Sequence, residues 1–215
     1  MVKKRRRLAM SRRRRNSLLL LATLTLLACA WVDRQFCGGV RSAIVHQAHW
    51  GRDGFKYHNN SFRVTNVVDG DTLDIDIPDG SKDYTRVRLL GIDTPETKDP
   101  RVGRMFYGPE ATDFAKSLAE SKTVTVLLDP IGDVRDFYGR LLAYIHLPDG
   151  RILNEELIVN GFGYADLRFK HSQFDRYVVL QQHAMDAQTG LWKDVSSQQL
   201  PRWLQRQRPD LPVRP

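Results

Sequence analysis

Phe62-Arg-Val-Thr-Asn-Val-Val-Asp-Gly-Asp-Thr-Leu-Asp-Ile-Asp-Ile77 decides the fold. Apolar and polar residues alternate through Val68 with the period of a half-buried strand, and Asp69-Gly70 then supplies a tight turn. The alternation resumes at Thr72, with Leu73, Ile75 and Ile77 on one face. Downstream, Pro78-Asp79-Gly80 is the next turn, and Tyr84 to Leu90 reads as a third strand. The first third of this region is therefore a β-meander. From Pro109 to Ala119 the period changes: proline suits a first helical position, and Ala111, Phe114, Ala115 and Leu118 follow at helical spacing. Val124 to Leu128 and Leu141 to His146 are two further strands, and Ile152 to Val159 and Tyr177 to Gln188 are further helices. Five strands with a helix between the third and fourth predict a mainly β (β+α) fold, a small OB-fold barrel with three helices.

The flanks read differently. The 215-residue chain carries a formal charge of +8, yet nine of its 33 Lys and Arg lie in residues 1–16, which hold no acid. The remainder has 24 basic against 25 acidic side chains, so bulk charge is no sign of nucleic-acid binding by the folded part. After the basic leader, Leu18 to Val32 runs without a charge, and Ala28 and Ala30 supply small residues. That pattern is an export signal, and the run is short of the ~20 residues that cross a bilayer comfortably. Three readings stay open: cleavage after Ala30, an uncleaved membrane anchor through residues 18–32, or a lipoprotein acylated at Cys29 in Leu26-Leu27-Ala28-Cys29. All three place the folded domain in a secreted, periplasmic or otherwise extracytoplasmic location.

Residues 33–60 have no sustained period and read as a linker, and 61–193 as the folded domain. Residues 194–215, with four prolines from Pro201 onward, read as a Pro/Arg-rich disordered tail. Cys29 and Cys37 both precede the domain, which excludes a disulfide framework or cysteine-built zinc site within it. Cys37 reads as incidental, and His46, His49 and His58 as linker residues.

Three segments carry chemistry: Val68-Asp69-Gly70-Asp71-Thr72, Arg88-Leu-Leu-Gly-Ile-Asp93-Thr94-Pro95-Glu96-Thr97, and Asp136-Phe137-Tyr138-Gly139-Arg140. Asp71 and Asp93 end neighbouring strands, where two carboxylates can share a hard cation such as calcium. Pro95 holds Thr94 extended, which aims its carbonyl. Arg88 and Arg140 offer planar forks that match phosphate oxygens. Each item alone has a plain structural reading, as a turn, a helix cap or a solvated strand face. Their joint occurrence in this order is the signal.

With VVDGDT, RVRLLGIDTPET, YGPEA, DFYGR, LAYIHLPDGRILNEELIVNGFG and the closing TGLW, the stretch from about Phe62 to Trp192 resembles the staphylococcal-nuclease (thermonuclease) family. The resemblance implies an OB barrel and a calcium-dependent nuclease acting on single- and double-stranded DNA and on RNA, as a monomer. It implies that Asp71 and Asp93 bind calcium through carboxylates and Thr94 through its backbone carbonyl, with Asp69 orienting ligands or water. Glu96 resembles the general base or water-positioner, Arg88 and Arg140 the pair that clamps phosphate, and Tyr138 a tyrosine that bonds a terminal phosphate. The chain departs from the family at Phe137, where a lysine is usual, and at Leu167, where a tyrosine packs near the base; Phe169 can still stack. A non-catalytic nucleic-acid- or protein-binding module is the alternative, although such modules usually lose the acids or arginines kept here.

Overall fold

The computed structural model describes residues 50–97 and 103–211, together with Thr23 and Thr25. Residues Trp50–Pro215 form one compact unit; of the other, Met1–His49, only the two helical threonines are described. The leader, Cys29, Cys37, His46 and His49 thus lie outside the described residues. Among the described residues no helix is long and apolar enough to cross a membrane.

The meander forms as the alternation predicts: β1 (Asn60–Asp69), β2 (Thr72–Ile75) and β3 (Thr85–Leu89) pair antiparallel in sequence. β5 (Thr123–Leu127) and β6 (Leu141–His146) complete a closed barrel in the order β1-β2-β3-β6-β5, with β3 and β6 parallel and β5 returning to β1. This is the five-stranded OB barrel. Val64, Val67, Leu73, Ile75, Val87, Leu89, Val126 and Ile145 fill it. One detail departs from simple alternation. Register shifts after Val64 and after Val67 bulge β1, so its inward face passes from Val64 to Val67 rather than to Asn66. A bulge inserts one residue and turns the strand, which suits the tight curvature of a small barrel.

Outside the barrel, β4 (Ile92–Asp93) pairs with β7 (Tyr164–Ala165), Asp93 opposite Tyr164. The three anticipated helices are α1 (Gly108–Ala119), α2 (Leu153–Val159) and α3 (Phe174–Asp186). α1 buries Ala111, Ala115 and Ala119, and its Phe114 stacks on Phe162 at 4.2 Å. Fully buried Asn154 of α2 satisfies three backbone groups: Oδ1 accepts from Ile145, and Nδ2 donates to the Leu90 and Ala143 carbonyls. That pins the far ends of β3 and β6, where an unpaired carbonyl would be costly.

Both flanks of the domain extend further than the sequence pattern indicates. Residues 50–57 are helical, Tyr57 is fully buried, and His58 accepts from the Leu128 amide and packs on Trp50 at 4.0 Å. The expected disordered tail instead carries a further helix, α4 (Arg202–Gln207). Leu200, Trp203, Leu204 and Leu211 join Tyr164, Leu191 and Trp192 in a second core. The prolines misled because Pro201 caps α4 rather than breaking it, and Leu200, Trp203 and Leu204 already stand at helical spacing.

A buried polar cluster joins the segment after β5 to the loop before α3. Asp129 Oδ2 accepts from Tyr144, the Ser172 amide and the Ser172 hydroxyl, and Tyr144 Oη meets His171 Nδ1 at 2.9 Å. Burial holds the His171 pKa below its ordinary value, against the opposing pull of Asp129 and Asp166 and with help from Lys170. Burial acts likewise on His146, where Glu155 opposes it. A histidine depressed in the fold binds its proton first in the unfolded chain, so stability falls as pH drops below the unfolded value of ~6.5. Denaturant unfolding between about pH 8 and pH 5 should show this loss, and His171→Gln should flatten the slope by up to ~1.4 kcal/mol per pH unit.

Candidate active site

The hairpin at Asp69 pairs that residue with Thr72, leaving Gly70 and Asp71 as the turn. Gly70 is required by space: a Cβ there would lie 2.8 Å from Thr94 Oγ1. The close approach sets Asp71 against the segment after β4. Asp71 is 2% exposed, its Oδ2 accepts the Thr94 amide at 2.8 Å, and its Oδ1 accepts the Thr72 hydroxyl and an Arg88 Nη1 contact. Arg88, from β3, gives its other nitrogen, Nη2, to Asp93 Oδ1 at 2.5 Å. One guanidinium thus spans two carboxylates, one in the β1–β2 turn and one at the end of β4. Burial lowers the Arg88 pKa, Asp93 opposes that, and the nearby charge of Arg140 adds to it.

Asp93 is held on both oxygens. Oδ1 also takes Arg168 Nη2 at 3.2 Å, and Oδ2 accepts Trp203 Nε1 at 2.8 Å. Asp69 lies on the other side of the turn. Its Oδ1 accepts the Gly70 amide and the hydroxyls of Thr97 and Thr112. Burial raises the Asp69 pKa against those bonds, and neighbouring Glu96 raises it further. The Thr97 amide in turn donates to Glu96 Oε1 at 2.9 Å, so Asp69 braces the residue next to Glu96.

Arg140 is positioned by its own loop. Asp136 Oδ1 accepts the amides of Tyr138 and Arg140, while Asp136 Oδ2 accepts Arg140 Nε at 2.6 Å. The guanidinium lies 5.5 Å from the centre of the Tyr138 ring. Phe137, Tyr138 and Phe169 are strongly exposed, at 96%, 74% and 63%.

A cleft of about 960 Å³ unites most of these groups: Arg88, Asp93, Glu96, Tyr138, Arg140 and Phe169 line it, with Phe137 and Arg168. Asp69, Asp71 and Thr94 do not line it. Asp71 and Thr94 are buried and meet the cleft through Arg88 and Asp93. Leu167 is turned into the apolar packing instead. Sequence reasoning passed over Arg168 and Trp203. Arg168 stood among residues weighed only for aromatic stacking, although Asp166-x-Arg168 follows directly on the strand that pairs with Asp93. Trp203 stood in the segment read as disordered.

Barrel and cleft together define an OB-type domain that gathers carboxylates and arginines at one mouth. The staphylococcal nuclease homologue family matches residues 86–194 of the chain. The chain is 35% identical over 147 residues to an uncharacterized endonuclease of Escherichia coli, covering 68% of this chain and 84% of that protein. It is 36% identical over 137 residues to a thermonuclease of Staphylococcus intermedius (62% of this chain, 76% of the relative). It is 34% identical over 146 residues to endonuclease YncB of Bacillus subtilis strain 168 (65% and 67%). The chain belongs to the staphylococcal nuclease family.

Proposed function

We propose that the protein is a calcium-dependent nuclease that hydrolyses phosphodiester bonds of DNA and RNA, cutting within strands and at their ends. The observation that carries this reading is the guanidinium of Arg88 spanning Asp71 and Asp93 at a cleft that also presents Glu96 and Arg140. The nuclease names of the relatives support it.

The residues fit calcium. Because one guanidinium bridges Asp71 and Asp93, the carboxylates are close enough to share one cation. Thr94 Oγ1 is buried beside them without a hydrogen-bond partner among the described residues, and the Thr94 carbonyl would be a third oxygen donor. Among the described residues no three His, Cys, Asp or Glu side chains converge as a metal cluster. A site with two carboxylates must complete its shell with carbonyls and water, which calcium accepts. Bound there, the ion would neutralise phosphate charge and polarise the phosphorus–oxygen bond.

The protein's own groups do the rest. In this reading Glu96, whose neighbour Thr97 is held by Asp69, orients the attacking water and takes its proton. The water oxygen bonds to phosphorus as one ester P–O bond breaks, and the leaving oxygen keeps the bonding pair and takes a proton from solvent to become a hydroxyl end. Arg88 and Arg140 hold the phosphate oxygens and stabilise the charge that builds on them. Tyr138 bonds a terminal phosphate, and Phe169 offers a ring on which a base can stack. The leader supports export, and calcium is plentiful outside the cytoplasm.

Two assays test this reading. Calcium should raise the melting temperature, since an ion at 100 times its Kd stabilises the fold by about 2.7 kcal/mol. The purified protein should cut single-stranded DNA with calcium and stop on chelation. A calcium-induced shift without cleavage would support a binding module instead, and the absence of both shift and cleavage would overturn the metal site.

A further inference from the structure

We propose that Trp203, in the C-terminal segment beyond the family match, and Arg168, within the match, are positioning residues that fix the Asp93 carboxylate for a divalent ion. This rests on the calcium reading above.

Asp93 ends a strand of two residues, a short support for a side chain that must point one way. Three donors supply what the strand lacks. The carboxylate oxygen shared with Asp71 through Arg88 is Oδ1, and Trp203 Nε1 holds the other oxygen, Oδ2, at 2.8 Å. The indole therefore fixes rotation of the carboxylate while leaving Oδ1 toward Asp71. A neutral N–H does this without adding positive charge beside a cation. Arg168 does add charge, but shares it: its Nε and Nη2 bond Asp166 at 2.8 and 2.7 Å. Its guanidinium lies 4.6 Å from the centre of the Trp203 ring, so indole and arginine hold each other in place.

The anchor is rigid. Trp203 is 8% exposed and Leu204 fully buried, and both sit in the core that contains Tyr164, the strand partner of Asp93. Burial alone would give Trp203 a packing role, yet its N–H is aimed 110 residues back along the chain at a carboxylate of the site. Trp192 provides the contrast within the same core, since its Nε1 is buried and has no hydrogen-bond partner among the described residues. Groups that orient a metal ligand commonly alter affinity by ~10–100-fold when lost, which packing residues do not.

The test is calorimetric titration of calcium into the full-length protein as wild type, Trp203→Phe and Trp192→Phe, with melting in chelator alongside. Phenylalanine keeps a ring in each place and removes one N–H. Trp203→Phe should raise the calcium Kd ~10-fold or more, with Trp192→Phe within about twofold of wild type. Equal Kd values for the two variants would overturn the inference while leaving the metal site standing. Absence of calcium binding by the wild type would overturn both. A measurement on the wild type alone guards against a variant that fails to fold. In a ¹⁵N-labelled sample the Trp203 indole N–H resonance should move on calcium titration and that of Trp192 should not. An unmoved Trp203 signal at saturation would equally overturn the proposal.

Discussion

Arg140→Ala is expected to lower turnover on single-stranded DNA by roughly 10²–10³-fold, the usual cost of one positioned donor to a charged transition state. Stability should change by less than ~1 kcal/mol, because the side chain is held mainly by an ion pair at the protein surface. The loop does not depend on that pair. Asp136 keeps the amides of Tyr138 and residue 140 after the guanidinium is gone, so the turn should persist. Initial rates at saturating calcium, set beside melting curves, check both halves. A loss of activity matched by a large loss of stability would mean that Arg140 acts through the fold.

Arg88→Met should fail in the opposite way, costing fold as well as chemistry. Asp71 is 2% exposed and would lose the Arg88 ion pair, which among the described residues leaves it the Thr72 hydroxyl and the Thr94 amide. Stranding a buried charge in this manner typically costs ~3–5 kcal/mol. Asp93 is better protected, since Arg168 and Trp203 remain. At the proposed calcium site the Arg88 guanidinium would compete with the ion for both carboxylates. Its removal should therefore make the calcium-induced rise in stability larger in the variant, although turnover falls with the lost phosphate contact. Denaturant unfolding with calcium and with chelator measures this directly. A variant as stable as wild type in chelator would show that Arg88 does not neutralise Asp71 in solution.

The contrast between these arginines was only half legible in the sequence. Both could be named from their motifs, because a fork beside acids on strand ends has recognisable chemistry. Nothing in the pattern distinguished Arg88, sunk between two carboxylates, from Arg140, held at the rim by its own loop. That difference arises from the pairing of β3 with β2 and from the Gly70 turn, which are contacts across the chain. The barrel was legible for a local reason: β1, β2, β3 and β5 carry much of their own alternation, and the β1–β2 and β2–β3 turns carry Gly70 and Pro78-Asp79-Gly80. The bulges in β1 were not, since strict alternation from Val64 would turn Asn66 inward, and only the register with β2 shows Val67 in that place. The reach of Trp203 to Asp93 could not be read at all. The helical spacing around it was visible, but the target lay 110 residues away on a strand too short to announce itself.

The central claim, that this cleft breaks phosphodiesters with Glu96 at the attacking water, is tested most directly by one substitution. Glu96→Gln preserves shape and the Thr97 amide contact while removing the carboxylate's basicity. Cleavage of single-stranded DNA by the two proteins should be compared at saturating calcium. Glu96→Gln should cut at least ~10²-fold more slowly, with the calcium-induced melting shift retained. Undiminished cleavage by Glu96→Gln would contradict it, because the reaction would then run without the group assigned to the water.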